Sequence, residues 1–134
     1  RGRVVFISKK AACSTCHRAG KDGGDVGPDL TKVGAIRSGP DLIESILFPS
    51  STFAQGYETY TAVAKDGRIA SGTLASQSPD AVHLRDASGG RIALRREEIR
   101  SLDRGPASLM PEGLDRALTR EELRDLLAFL MGLR

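Results

Sequence analysis

Large aromatic side chains are scarce in this chain. They make up 4% of its 134 residues, and there is no tryptophan. No basic run carries interleaved aromatics, and beyond the first acid, Asp22, charges alternate in sign, which argues against a nucleic-acid interface. No apolar run is long enough to cross a bilayer. No leader is visible, since the chain opens on Arg1-Gly2-Arg3-Val4-Val5-Phe6, an opening expected of a processed chain or of a domain cut from a longer protein. Cysteine, histidine and methionine number two each. Any metal chemistry therefore rests on very few donors, and a closed structural zinc site, which takes four, has only His83 to add to Cys13, Cys16 and His17. Internal repeats and low-complexity tails are absent.

What is present is an ordinary globular composition, 40% hydrophobic and 28% charged, at a length that suits one domain spanning 1–134. The net charge of +3 is uneven, because Arg1, Arg3, Lys9, Lys10, Arg18 and Lys21 all precede Asp22. This basic start reads equally as a surface that steers an acidic partner or as a solvated helix face. Val4, Val5, Phe6 and Ile7 suggest a helix over 1–12. Gly20, Gly23, Gly24, Gly27 and Pro28 predict an irregular segment over 13–32. Pro40 and the stripe Leu42, Ile43, Ile46 and Leu47 predict a helix over 40–48, stopped by Pro49. The period then changes. Segments 57–65 and 68–76 flank the hairpin turn Asp66-Gly67, 81–86 and 91–94 form a second pair, and 99–102 adds a short strand. A β-rich insertion over 57–104 is thus expected. Thr119 and Glu122 form a capping box ahead of Leu123, Leu126, Leu127 and Leu130, the clearest helix in the chain.

The sharpest chemical signal is Cys13-Ser14-Thr15-Cys16-His17. Two thiols three residues apart can add across the two vinyl groups of heme, and the imidazole that follows can reach the iron. This is the spacing of c-type heme attachment. A thioredoxin-like dithiol would sit after a strand in a βαβ pattern, whereas this motif follows a helix. A plain Cys13–Cys16 disulfide leaves His17 without a role. One covalent heme c is therefore the expected cofactor, and its assembly implies a periplasmic or otherwise exported location. The low aromatic content is in keeping with a core completed by such a group.

A second axial ligand must come from Met110, Met131 or His83. Met131 lies near the end of the last helix, where a methionine usually packs or faces solvent. His83 alternates with Val82 and Leu84 and so shares the polar face of its strand. Met110 lies in Ser108-Leu109-Met110-Pro111-Glu112-Gly113-Leu114, where Pro111 denies it helical backbone. His17 and Met110 are therefore the expected metal ligands. A His/Met pair raises the reduction potential and fills both axial positions, which favours electron transfer over catalysis.

These residues resemble class I cytochrome c. Gly2 and Phe6 resemble the glycine and aromatic of its first helix, and Leu126, Phe129 and Leu130 the facing surface of its last. Gly27-Pro28-Asp29-Leu30 resembles the loop after the heme site. The resemblance implies that the Pro28 carbonyl accepts a hydrogen bond from His17 and that Arg37 reaches a heme propionate. It also implies a mainly α cytochrome c fold, with terminal helices packed around heme and a small antiparallel β-sheet inserted, α+β overall. Segment 57–104 departs from small cytochromes c. With that segment, and with Ile46-Leu47-x-Pro49, Lys65-Asp66-Gly67-Arg68 and Ser71-Gly72, the chain looks like the heme-binding domain of large exported proteins of Planctomycetes and Verrucomicrobia. That likeness implies a redox partner protein or a fused dehydrogenase module.

Three readings follow. The chain is a single-electron carrier, or a heme enzyme or gas or redox sensor with a labile sixth ligand, or a binding module in which Tyr57, Tyr60 and Arg68 form a docking surface on the sheet and heme is structural.

Overall fold

The computed structural model describes residues 1–134 and divides them into two compact units. The first joins Arg1–Thr52 to Met110–Arg134, and the second is Phe53–Leu109. Each has its own hydrophobic core.

The first unit is built from short helices. They are α1 (Gly2–Ile7), α2 (Cys13–Cys16), α3 (Val33–Ile36), α4 (Gly39–Leu47), α5 (Leu114–Ala117) and α6 (Arg120–Met131). Helix α1 is shorter than its apolar run suggests. The Ser8 hydroxyl donates to the Val5 carbonyl and accepts from the Ala11 N–H, which closes a turn in place of further helix. Helix α4 starts where Ser38 and Asp41 cap each other. Helix α6 starts at the reciprocal pair Thr119 and Glu122.

Helices this short do not stand alone in water, so their stability comes from packing. Phe6, Leu126 and Leu130 are buried together with Val33, Leu42, Ile46, Leu114 and Leu118. The Phe6 and Phe129 rings lie 5.5 Å apart, tilted by 57°. Gly2 lets α1 touch the backbone of α6. A Cβ there would overlap the Asp125 carbonyl oxygen and lie 2.5 Å from the Phe129 Cβ. The Gly34 N–H donates to the Leu133 carbonyl at 2.7 Å, which ties α3 to the tail of α6.

The second unit is a five-stranded antiparallel sheet. Its strands are β1 (Thr59–Ala64), β2 (Ile69–Gln77), β3 (Ala81–Arg85), β4 (Arg91–Arg95) and β5 (Ile99–Arg104), in the order β4-β3-β2-β1-β5. One 3₁₀ turn, Arg96–Glu98, joins β4 to β5 although they are the two edge strands. A flat sheet would hold those edges about 19 Å apart, at ~4.8 Å per strand. Four residue steps reach only about 14 Å. The sheet must therefore curl strongly on itself. Its core agrees, since Leu94 of β4 and Ile99 and Leu102 of β5 share one cluster with Ala62, Val82 and Leu84.

The expectation of a mainly α cytochrome c fold is overturned. The chain is about 31% helix and 25% strand, the helices are short and scattered, and the sheet is a complete five-stranded unit. The physical reason is that the strands bury enough apolar surface to make a core of their own. The motif-based expectation treated the sheet as an accessory to a helical body.

Leu126 is fully buried at the centre of the helical unit. Leu126→Ala should cost about 2–5 kcal/mol, read as a lower urea midpoint for the helical signal. Glu122 is held below the ordinary carboxylate range, first by the Lys10 ammonium that donates to it and then by the Thr119 N–H. A depressed folded value means that its contribution is present above the ordinary value of 4.5 and is lost as pH falls below it. Glu122→Gln should therefore lower the urea midpoint at neutral pH, and the difference from wild type should close as the pH is taken toward 3.

Candidate functional site

The Cys13-Ser14-Thr15-Cys16-His17 segment forms one tight structural piece. Ala12 adopts left-handed backbone, at φ 53° and ψ 25°, and turns the chain into α2. Cys13 and Cys16 sit one helical turn apart, so both thiols lie on one side of α2. His17 follows in extended conformation and leaves the helix. The loop beyond it folds back over the motif. The Gly24 N–H donates to the Ser14 carbonyl at 2.9 Å, the Gly27 N–H to the Cys16 carbonyl at 2.8 Å, and the Leu30 N–H to the Arg18 carbonyl at 2.8 Å. Arg3 closes the loop from outside with an ion pair to Asp22 at 2.6 Å. At the base of the loop, the Asp29 carboxylate accepts from the Thr31 N–H at 2.8 Å.

The loop brings the Pro28 carbonyl 2.8 Å from His17 Nδ1. A carbonyl only accepts, so Nδ1 carries the proton and Nε2 keeps its lone pair. Burial pushes the His17 ring below its ordinary value, against the opposing effect of the Pro28 bond, so the imidazole is neutral at pH 7. Gly27 packs flat on the ring; a Cβ there would lie 2.6 Å from Cε1 and 2.8 Å from Nδ1. The histidine is thus fixed in tautomer and in orientation, as a metal ligand requires.

Burial also raises both thiols above their ordinary value, Cys13 and Cys16 alike. A redox dithiol needs the opposite shift, a stabilised thiolate. The motif moreover belongs to the helical unit, which contains no β-strand, so the βαβ setting of a thioredoxin-like site is missing. Cys13 and Cys16 are free thiols, and no group of three or more His, Cys, Asp and Glu side chains is gathered to hold a metal ion.

The other expected residues fall in different places. Met110 is the first residue of the second segment of the helical unit, and it packs on the same core cluster as Cys13 and Leu30. Arg37 is exposed at the end of α3, and its charge lies near the Asp41 carboxylate. His83 lies on β3 opposite Ala93, in the β unit. Met131 is 42% exposed near the end of α6, with its sulfur against Gly39. Of the six basic residues near the start, Arg3 and Lys10 are ion-paired, to Asp22 and Glu122. No helix is long and apolar enough to cross a membrane.

Sequence reasoning missed the packing of Gly27 on the imidazole and the shared cluster of Cys13, Leu30 and Met110. The four-residue spacing from Cys13 to His17 signals the chemistry, but nothing in it signals which backbone will lie on the ring.

A search against protein-family models finds no match, and no curated protein matches the chain.

Gly27→Val should push the His17 ring off the Pro28 carbonyl. Long-range proton–nitrogen NMR on heme-free chain should show the Nδ1-protonated tautomer in wild type and a mixture of tautomers in the variant.

Proposed function

We propose that residues 13–17 are a covalent heme c attachment site and that the chain is a single-electron carrier. The observation that carries this reading is the His17 ring, held at Nδ1 by the Pro28 carbonyl beside two thiols spaced one helical turn apart. The donor chemistry fits the group. Cys13 and Cys16 would each form a carbon–sulfur bond to a vinyl group, the thiol hydrogen passing to the neighbouring vinyl carbon, so no oxidant is consumed. His17 would present Nε2 to the iron. Heme supplies an iron that cycles between two oxidation states.

Met110 would be the second residue to hold the iron. It belongs to the helical unit, packs on the cluster that holds Cys13, and stands before Pro111 in backbone denied to helix. A thioether there would donate less electron density to the iron than a second imidazole, which would set a higher potential. If His17 and Met110 both hold the iron, small ligands would find no open coordination site. The work of the chain is then to hold heme, set its potential and exclude ligands. A redox partner protein or fused dehydrogenase module would supply or take the electron, and attachment through thiols implies assembly in an exported, periplasmic-type compartment. In this reading Arg37 would meet a propionate.

The test uses protein from a host that matures c-type heme. Wild type should be coloured and low-spin in both oxidation states, and its heme should resist acid–acetone extraction. Reduced wild type should bind carbon monoxide poorly at neutral pH. Cys13→Ala with Cys16→Ala should release the heme to extraction. Met110→Ala should keep it, bind carbon monoxide readily and show a lower potential. Colourless wild-type protein would sink the cofactor assignment. Fast carbon monoxide binding by wild type would instead favour an enzyme or sensor with a labile sixth ligand.

A further inference from the structure

We propose that Thr31 is a positioning residue that holds the Pro28 carbonyl on the His17 ring; its role toward iron rests on the reading of His17 as an iron ligand. All the groups involved lie in the helical unit, within Arg1–Thr52. Two stretches of chain, 16–20 and 27–31, are linked to each other around the ring. Two of the links are backbone bonds, from the Gly27 N–H to the Cys16 carbonyl and from the Leu30 N–H to the Arg18 carbonyl, each at 2.8 Å. A third is made by a side chain, because the Thr31 hydroxyl oxygen accepts from the Gly20 N–H at 2.9 Å. The same residue grips Asp29, since its N–H donates to the Asp29 carboxylate at 2.8 Å. The neighbouring Thr31 hydroxyl, and after it the Thr31 N–H, hold that carboxyl below the ordinary carboxylate range.

Asp29 matters because the Pro28 carbonyl and the Asp29 nitrogen belong to one planar peptide. The pyrrolidine ring fixes φ of Pro28. The carbonyl can therefore swing away from His17 chiefly by rotation about ψ of Pro28, and that rotation turns Asp29 with it. Asp29 resists, because its carboxylate is fastened to Thr31 and Thr31 is fastened to Gly20 across the loop. Gly20 is itself held in a tight turn, at φ 66°, where Ala19 and Asp22 exchange backbone bonds at 2.8 and 3.2 Å. Gly20 and Asp29 are exposed, so water would satisfy the N–H and the carboxylate if Thr31 let go. The hydroxyl is thus not needed to cancel a desolvation cost. What it adds is the aim of the Pro28 carbonyl.

Thr31→Val keeps the shape and removes the hydroxyl, while Thr31→Ser keeps the hydroxyl. The full chain is made with each residue in a host that matures c-type heme. Solvent exchange of the His17 Nδ1 proton, followed by proton–nitrogen NMR on reduced protein, reads the Pro28 bond directly. The midpoint potential reads it through the iron. A weaker bond at Nδ1 makes the imidazole a poorer donor and disfavours the ferric state, which raises the potential. General loosening that admits water to the heme would favour the more charged ferric state and lower it. For Thr31→Val we expect about fivefold faster Nδ1 exchange, in the range that the net contribution of one hydrogen bond implies. We also expect a higher potential, with Thr31→Ser close to wild type in both. The urea midpoint of each variant shows that it is folded. If wild type carries heme and Thr31→Val exchanges no faster, the proposal is overturned while the attachment reading stands. If the potential of Thr31→Val falls instead of rising, the residue acts on the fold as a whole and the proposal is overturned. If Thr31→Ser exchanges as fast as Thr31→Val, the hydroxyl is not the cause and the proposal is again overturned. If wild type is colourless, the attachment reading fails, and the role of Thr31 toward the iron fails with it.

Discussion

The hydrogen bond from His17 Nδ1 to the Pro28 carbonyl is the constraint on which the site depends. It selects one tautomer of a buried ring, and it does so with a backbone acceptor that no pH change in the physiological range can titrate. The loop between them exists to make that bond. Backbone bonds from Gly24, Gly27 and Leu30 return the chain over the motif, and the absence of a side chain at residue 27 leaves room for the ring. The cysteines then need no special electrostatics. Burial keeps them as thiols, which protects them from the oxidation that a low-value thiolate invites.

Around this site the chain divides its hydrophobic residues between two cores. In the helical unit no element is longer than the twelve residues of α6, so order is imposed by contacts between segments distant in sequence: Gly2 and Phe6 with Asp125 and Phe129, Gly34 with Leu133, Lys10 with Glu122. In the β unit, contacts are mostly between neighbours along the chain. The exception is the pairing of β1 with β5, which the curl of the sheet makes possible.

Much of this was legible from residue patterns. Alternation of small and branched residues, broken at Asp66-Gly67 and at Ser88-Gly89, located all five strands to within about three residues, because a half-buried strand must alternate. The Thr119–Glu122 box located the start of α6, whereas α4 was placed from Pro40 and its Ser38–Asp41 box went unread. Helices α2, α3 and α5 were invisible, since four residues carry no period, and α2 falls in a segment expected to be irregular. The curl of the sheet was invisible too, because it follows from which strands pair and not from what they contain. The fold class went wrong for a related reason. A five-residue motif speaks about local chemistry, and extending it to the architecture of the chain overlooked a sheet with a core of its own. At the candidate site, Cys13, Cys16 and His17 were picked out because the heme attachment proposed above requires those residues in that order. The role of Pro28 came only through likeness to a family.

The curled sheet has one more consequence. A five-stranded sheet carried within another unit would ordinarily expose two rows of unpaired amides to every neighbouring molecule, a standing template for aggregation. Here the three-residue turn between β4 and β5 draws those two rows toward each other. Exposed arginines at 91, 95, 100 and 104 stud the same two strands, and charged side chains along an edge disfavour its pairing with another strand. Crowded at high concentration, such a sheet has little free edge to lend, so the chain can carry it without becoming adhesive.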